Sequence, residues 1–353
     1  MVKKDIILSI DAMGGDGAPK TVIDGVAEAK SRYPHVKYLI FGDKKKISPI
    51  IATHEGLLAY CEIIHSEDEV GYEETLSRAV RRGKKTSIWM GSEAVKNGDT
   101  QGFVSAGNTG VFMAMSKLNL RTLPNIERPA LCSLFPNQNG ETVMLDLGAN
   151  SHCNVRNLVE FSIMGMCFSK IISGINKPLV GLLNVGSEEM KGTEKIKEAS
   201  SILKNSDLDI NFYGFVEGDD IALGTVDVVV TDGFTGNVSL KTAEGTAKLY
   251  TSFLKSAFES SLLSRLGYLF IKPSLNKVIT KTDPRKYNGA LFIGLNGIVV
   301  KSHGGTDAFG FANAIGVAVD LVDRNLNKSI AEELDRLYEN SDKHIFTNGI
   351  QWL

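Results

Sequence analysis

Six short apolar runs in this chain stop at glycine-rich turns, and helical patterns follow most of them. The turns read Asp11-Ala-Met-Gly-Gly-Asp-Gly-Ala-Pro19, Ser105-Ala-Gly-Asn-Thr-Gly110, Asp146-Leu-Gly-Ala-Asn150, Asn184-Val-Gly-Ser-Glu-Glu-Met-Lys-Gly192, Thr231-Asp-Gly-Phe-Thr-Gly-Asn237 and Ser302-His-Gly-Gly-Thr-Asp307. Candidate strands occupy 6–10, 38–41, 102–105, 143–145, 179–184, 210–213, 226–231 and 298–301. Several lack polar alternation, as strands buried on both faces do. Helical periodicity covers 21–32, 158–172, 193–204 and 307–324. Strand alternating with helix predicts an α/β fold, a mostly parallel sheet covered on both faces. In such a sheet the carboxyl ends of the strands share one edge, where ligands bind. Glycines there let backbone approach a ligand, and the N-termini of the following helices suit an anion, above all phosphate. A single such turn is ordinary turn chemistry. Six of them carrying Asn, Ser, Thr, Asp and Lys predict a polar, anion-binding edge.

The 353 residues are enough for two domains, yet an α/β chain of this length can share one continuous sheet. No repeat, low-complexity stretch or linker divides them, so one domain over 1–353 is expected, with a helical excursion at about 250–285. Hydrophobic residues make up 43%, which supplies a large core. The formal net charge of -2 gives no basic excess for nucleic acid. The apolar stretch after the first lysines is too short for a leader, and no run approaches the ~18 residues of a spanning helix. A cytoplasmic protein is expected. The four cysteines form no CxxC pair, so free thiols are expected rather than a zinc site. The chain contains no GxxxxGK[ST], GxSxG or HExxH, and no GxGxxG follows the first strand. Catalysis by positioning and electrostatics, with backbone donors, Lys and Asn, is the chemistry left in view.

The loops, taken in order, resemble the phosphate acyltransferase family of bacterial phospholipid synthesis. The matching stretches are IDAMGGDGAP, VSAGNTG, LPNIERPAL, LDLGAN, GLLNVGSEEMKGTE, EGDDI, VVVTDGFTGNVSLKTAEG and KSHGGTD, which together span nearly the whole chain. The resemblance implies a three-layer α/β/α fold like those of isopropylmalate dehydrogenase and phosphotransacetylase. It implies transfer of a long-chain acyl group from acyl carrier protein to inorganic phosphate, without metal or organic cofactor. It also implies a homodimer working beside a membrane glycerol-3-phosphate acyltransferase. The chain departs from the family at Asn150-Ser-His-Cys-Asn154, where His152 takes a position that is often acidic.

Lys191 is the first candidate for catalysis. A cation at a helix start is unfavourable unless an anion lies nearby, so phosphate or the oxyanion would explain it, against a merely solvated lysine. Asn237 is the second, as a donor to oxyanion or phosphate; an N-cap for the next helix is the competing role. Asp232 would orient either residue or simply end a strand. Asn108, Thr109 and Gly110 offer donors or an ordinary cap. Asn150, Gly186, Gly233, Gly236 and Gly304 complete the phosphate and substrate set. His303 is a candidate to protonate the leaving thiolate, although a lone histidine is more often structural. The first loop, with Asp11, Gly14, Gly15 and Asp16, would shape the edge, because its carboxylates repel phosphate. At 253–272, Leu254, Phe258, Leu262 and Leu266 recur every four residues with Lys255, Arg265 and Lys272 around them. That stripe fits an anionic membrane surface as well as it fits packing in a dimer or core, and the resemblance favours the membrane. Arg265 and Lys272 would also suit an acidic carrier protein. A phosphotransacetylase using coenzyme A and a non-catalytic acyl or membrane sensor are the alternatives. Lys191→Ala is expected to leave the fold intact and cut turnover by about 100-fold or more, the scale of a lost oxyanion donor. Near-normal thiol release from a folded variant would remove Lys191 from the chemistry.

Overall fold

The computed structural model describes residues 5–71, 74, 76–206, 209–281 and 283–344. The chain begins with β1 (Ile6–Asp11), α1 (Lys20–Arg32), β2 (Val36–Gly42), α2 (Lys44–Ile51), β3 (Cys61–His65), α3 (Leu76–Arg82), α4 (Ser87–Asn97), β4 (Gly102–Ser105) and α5 (Thr109–Leu120). It continues through β5 (Ala130–Pro136), β6 (Glu141–Leu145), α6 (Val155–Ile172), β7 (Leu179–Leu183), α7 (Glu194–Asn205), β8 (Asn211–Val216), α8 (Gly218–Leu223), β9 (Val228–Val230), α9 (Gly233–Glu259) and α10 (Leu262–Lys281). It closes with β10 (Ala290–Ile293), β11 (Ile298–Lys301), α11 (Ala308–Asp323) and α12 (Leu326–His344). Local chemistry sets several helix starts. Asn108, Asn154, Thr193, Asp232 and Asp307 each accept a backbone N–H from the first turn of α5, α6, α7, α9 and α11.

The strands form one 11-stranded sheet in the order β3-β2-β1-β4-β11-β10-β5-β6-β9-β7-β8. Most neighbours are parallel, but β11–β10, β10–β5 and β5–β6 are antiparallel. The six glycine turns therefore do not share one edge, contrary to the sequence-based expectation. Strands β1, β4 and β11 run one way, while β6, β9 and β7 run the other. The turns after the first three leave one edge of the sheet, and those after the second three leave the opposite edge. The reversal comes from β5 and β10, which the strand reading of the sequence missed together with β3. Its signal was nevertheless present. Asn139-Gly140 and Asn296-Gly297 are hairpin dipeptides, and they close the β5–β6 and β10–β11 connections.

The core lies on both faces of the sheet. Helix α6 is buried nearly all round, and Gly165 brings it against β6 and β9. Phe112 meets Phe103 and Phe292 edge-on, with ring centroids 5.1 and 5.4 Å apart. Each such pair adds about 0.5–1.5 kcal/mol beyond burial.

The apolar stripe at 253–272 is not one helix. Helix α9 ends at Glu259, and the Ser261 hydroxyl accepts the Ser264 N–H at 3.0 Å to start α10. A serine pair that caps a new helix competes well with helix continuation. Of the stripe, Leu254, Leu262 and Leu266 are exposed, and Leu263 and Phe270 stand 81% and 85% exposed beside them. Phe258 is half-buried against Tyr268, with centroids 5.2 Å apart. Among the described residues no helix is long and apolar enough to cross a membrane.

A methyl group added at Gly165 would lie 2.6 Å from Val228 Cγ1 and 2.8 Å from Leu145 Cδ2. Gly165→Ala is expected to lose about 1–3 kcal/mol of stability by overpacking, read from urea unfolding.

Candidate active site

Asp146 follows β6 directly and is fully buried. Its Oδ1 accepts the N–H groups of Leu131 (2.9 Å), Gly148 (3.1 Å) and Ala149 (2.9 Å), and its Oδ2 accepts the Asn150 backbone N–H (2.7 Å) and side-chain amide (2.9 Å). Burial pushes this carboxyl up from its ordinary range, and the Ala149, Leu131, Asn150 and Gly148 donors pull it back. Asn150 spends the rest of its amide on the Pro129 carbonyl at 2.7 Å, and its own carbonyl accepts the Gly233 N–H at 2.8 Å. The first turn of α9 sits directly on this loop. A Cβ at Gly236 would fall 1.9 Å from the Asp146 carbonyl oxygen, and one at Gly233 2.6 Å from that of Asn150. Asn150, Gly233 and Gly236 are thus engaged in holding loop against helix. Asp232 caps α9 through the Thr235 N–H at 2.7 Å, so the cap that Asn237 could have supplied is already taken. Asn237 is exposed one turn on, with one amide N–H on the Leu147 carbonyl at 3.3 Å and its side chain against Gly148. His152 is exposed and shares a hydrogen bond with Ser151 Oγ at 3.1 Å.

A cavity of about 220 Å³ opens between the loop before α7, the end of β9 and the start of α9. Leu158, Leu182, Leu183, Ile196, Val230 and Cys153 give it apolar walls. Asn184, Thr193, Lys195, Asp232 and Thr235 supply polar groups. Burial above all pushes the Cys153 thiol up to about 12, so it stays protonated and is no nucleophile. Asn184 is buried, and its side-chain N–H groups donate to the carbonyls of Gly186 and Lys191, both at 3.1 Å. Its Oδ1 is covered and has no hydrogen-bond partner among the described residues. Gly192, with φ +89°, packs flat on that amide.

Lys191 sits in the same loop and is exposed. Its stem packs on Gly186, and its ammonium enters none of the ion pairs among the described residues. The neighbouring Glu189 does not neutralise it, since that carboxylate is held by Lys204 at 2.7 Å. Sequence reasoning missed Lys195, which stands in the first turn of α7 with its ammonium 3.4 Å from the Cys153 carbonyl oxygen. The signal was the one that singled out Lys191, a cation at a helix start. The structure thus gathers the loops of Lys191, Asn237, Asn150, Gly186, Asp232, Gly233 and Gly236 around one cavity.

The remaining candidates form a second cluster at the opposite edge. Pairing aligns the last residues of β1, β4 and β11, placing Asp11, Ser105 and Lys301 in one row. Asp11 is buried and accepts from Ser105 Oγ at 2.6 Å and from the Met13 N–H at 3.1 Å. Lys301, also buried and also missed from the sequence, donates to the carbonyls of Ala106 (3.3 Å) and Ser302. Gly14 and Gly15 press on Gly107 and Gly304, and the Asp16 N–H donates to the Gly304 carbonyl at 2.9 Å. His303 Nδ1 accepts the Gly305 N–H at 3.1 Å. Asn108 caps α5 through the Val111 N–H at 3.1 Å, with Thr109 and Gly110 exposed after it. These contacts pin three loops to one another.

The model of a family described as fatty acid synthesis protein matches residues 6–329. A phosphate acyltransferase of Paramagnetospirillum magneticum is 58% identical over 332 residues, 94% of this chain and 95% of the relative. One of Rhodospirillum rubrum is 55% identical, over 95% of this chain and 96% of the relative. Among solved structures, a phosphotransacetylase from Streptococcus pyogenes superimposes with a TM-score of 0.60 at 17% identity, covering 91% of this chain and 94% of the other. The EutD phosphotransacetylase from Staphylococcus aureus gives 0.56 at 16% identity, covering 93% and 95%. At those identities the likeness is one of fold.

Burial pushes Lys301 down to about 8, while Asp11 and Asp16 pull it back up. Above that value the folded chain has lost a proton that the unfolded lysine, near 10.5, still holds. Stability therefore rises with pH across this window, and below it the buried charge is a standing cost. The parent is expected to gain on Lys301→Met by about 1–2 kcal/mol between pH 7.5 and 9.5, read from urea unfolding at both values.

Proposed function

This chain belongs to the phosphate acyltransferase family, the fatty acid synthesis proteins, and we propose that its reaction takes place at the loops around Asp146, Asn184 and Asp232. It is an acyltransferase that moves an acyl group to phosphate for phospholipid synthesis. The proposed donor is a long-chain acyl group on acyl carrier protein. The observation that carries this reading is the apolar-walled cavity lined by Lys195, whose bordering loops also carry Lys191 and Asn237, neither lysine forming an ion pair among the described residues.

In the proposed step a phosphate oxygen attacks the thioester carbonyl. The new C–O bond forms, the C–S bond breaks, and the proton of hydrogen phosphate passes to the departing thiolate. The carrier thus leaves as a thiol, and no cofactor is needed to balance the reaction. Lys191 and Lys195, beside the amino end of α7, hold and orient phosphate. Alignment of the two reactants could supply about 7–11 kcal/mol of the barrier at best. Asn237 keeps one amide N–H for the oxyanion, which is worth about 3–4 kcal/mol. Asp232 and Asp146 act through the geometry of α9 and its loop.

A phosphotransacetylase acting on short acyl-coenzyme A needs the same phosphate and oxyanion groups. The exposed apolar faces of α9 and α10 favour the long-chain reading, because a short-chain enzyme has no use for them. We assign those faces, with Arg265 and Lys272, to peripheral contact with an anionic membrane, where a glycerol-3-phosphate acyltransferase would consume the product. A homodimer completes the proposed assembly.

Purified protein incubated with palmitoyl-acyl carrier protein should release carrier thiol only when phosphate is present, and hydroxylamine should trap the product as a hydroxamate. Release from acetyl-coenzyme A alone would move the assignment to phosphotransacetylase, and release from neither would leave a sensor. Anionic liposomes should recruit the parent and not Leu262→Glu/Leu266→Glu; unchanged recruitment would end the membrane assignment.

A further inference from the structure

Three large apolar side chains stand in solvent around the cavity mouth. Val185, Met190 and Phe234 are 79%, 81% and 67% exposed. Val185 lines the cavity, Met190 belongs to the loop whose ends, Asn184 and Gly192, form part of its wall, and Phe234 falls between the lining residues Asp232 and Thr235. A single exposed apolar side chain needs no explanation, but three from separate segments around one opening mark a place where something docks.

Basic groups share this rim. Arg128, just before β5, donates to the His152 carbonyl, and Lys195, in the first turn of α7, donates to that of Cys153, both at 3.4 Å. Cys153 lines the cavity, so both cations stand at its border. The carboxylate of Glu127 lies 3.9 Å from Arg128 and already accepts the side-chain amides of Asn154 and Asn157, each at 3.0 Å. Glu189 and Glu194 are engaged by Lys204 and Lys197. His152 is exposed on the same loop and adds no negative charge. The rim is therefore apolar and basic at once.

Met, Phe and Arg are among the residue types enriched where proteins meet. The mixture fits an acidic protein surface that carries apolar side chains among its carboxylates. A flat membrane is a poorer match, because this collar surrounds an opening, and the long apolar faces lie elsewhere, on α9 and α10. We propose that the collar is the docking surface for the carrier protein itself: Val185, Met190 and Phe234 meet its apolar side chains, and Arg128 and Lys195 meet its carboxylates. The proposal rests on the reading that the donor is acyl carrier protein, and it adds which residues hold the protein part of that donor. Charges at such a rim chiefly speed encounter, so docking weakens as salt screens them. A thioester without the protein gains nothing from the collar.

The test compares decanoyl-acyl carrier protein with decanoyl-N-acetylcysteamine, following hydroxamate formation with phosphate in the parent, Met190→Glu and Arg128→Glu. Each variant should raise the KM for the carrier thioester at least tenfold, with kcat within twofold of the parent. Each should leave kcat/KM for the N-acetylcysteamine thioester and the KM for phosphate within twofold. Raising NaCl from about 50 to 500 mM should raise the parent's KM for the carrier several-fold, and that of Arg128→Glu by less. Should Arg128→Glu melt well below the parent, Met190→Glu makes the same test from a side chain that stands in solvent. An unchanged KM for the carrier in either folded variant, or an equal loss with both donors, overturns this inference alone. So does a loss of recruitment to anionic liposomes or a changed oligomeric state in Met190→Glu, which would give the collar to a membrane or to a second copy. A parent that yields no hydroxamate from the carrier thioester overturns the underlying reading of the donor, and this inference with it.

Discussion

One buried carboxylate organises the half of the molecule that carries the cavity. Asp146 gathers backbone N–H groups from β5 and from its own loop, and a side-chain amide besides. A carboxylate in the interior is costly unless its oxygens are fully satisfied, and here they are. The same contacts leave Asn150 in place to meet Gly233, and so fix where α9 begins. Neutral replacement of the carboxylate would strand several donors at once, so this interaction is strongly cooperative. The cavity, the Asp232 cap and the position of Asn237 all depend on it.

The opposite edge is built on a different device. There an acid, a hydroxyl and an amine stand in one row across β1, β4 and β11, and each ties down a neighbouring loop. Both ionisable members are pushed toward neutrality by burial. The two devices solve one problem. A glycine-rich loop has little intrinsic rigidity, and a buried polar anchor at its root supplies it. The edge held by Asp146 also has the apolar-walled cavity.

Helix α9 links that site to the outside. Its first turn forms part of the cavity mouth, and 27 residues at 1.5 Å each carry it about 40 Å away. There it meets α10 and shows Phe253 and Leu254 to solvent. With the long-chain donor proposed above, the product is half phosphate and half hydrocarbon, and it needs a polar place to form and an apolar place to go. One helix spans the two.

Much of this protein was legible in its residues. Apolar runs, glycine turns and capping side chains are short-range signals, and they located eight strands and the starts of the principal helices. They also marked the loops of Lys191 and Asn237. Which loops meet was not legible. That depends on β5 and β10 reversing the sheet, and their Asn-Gly hairpins look like any other turn until their strands are paired. Asp146, Asn184 and Lys301 escaped for the same reason, whereas exposed Lys195 carries the same helix-start signal as Lys191. A lysine or a carboxylate reads as solvated in a sequence, and only the burial imposed by distant strands turns it into an anchor. Local conformation is decided among residues a few positions apart. Desolvation is decided by everything that packs around a group, and so it belongs to the tertiary structure alone.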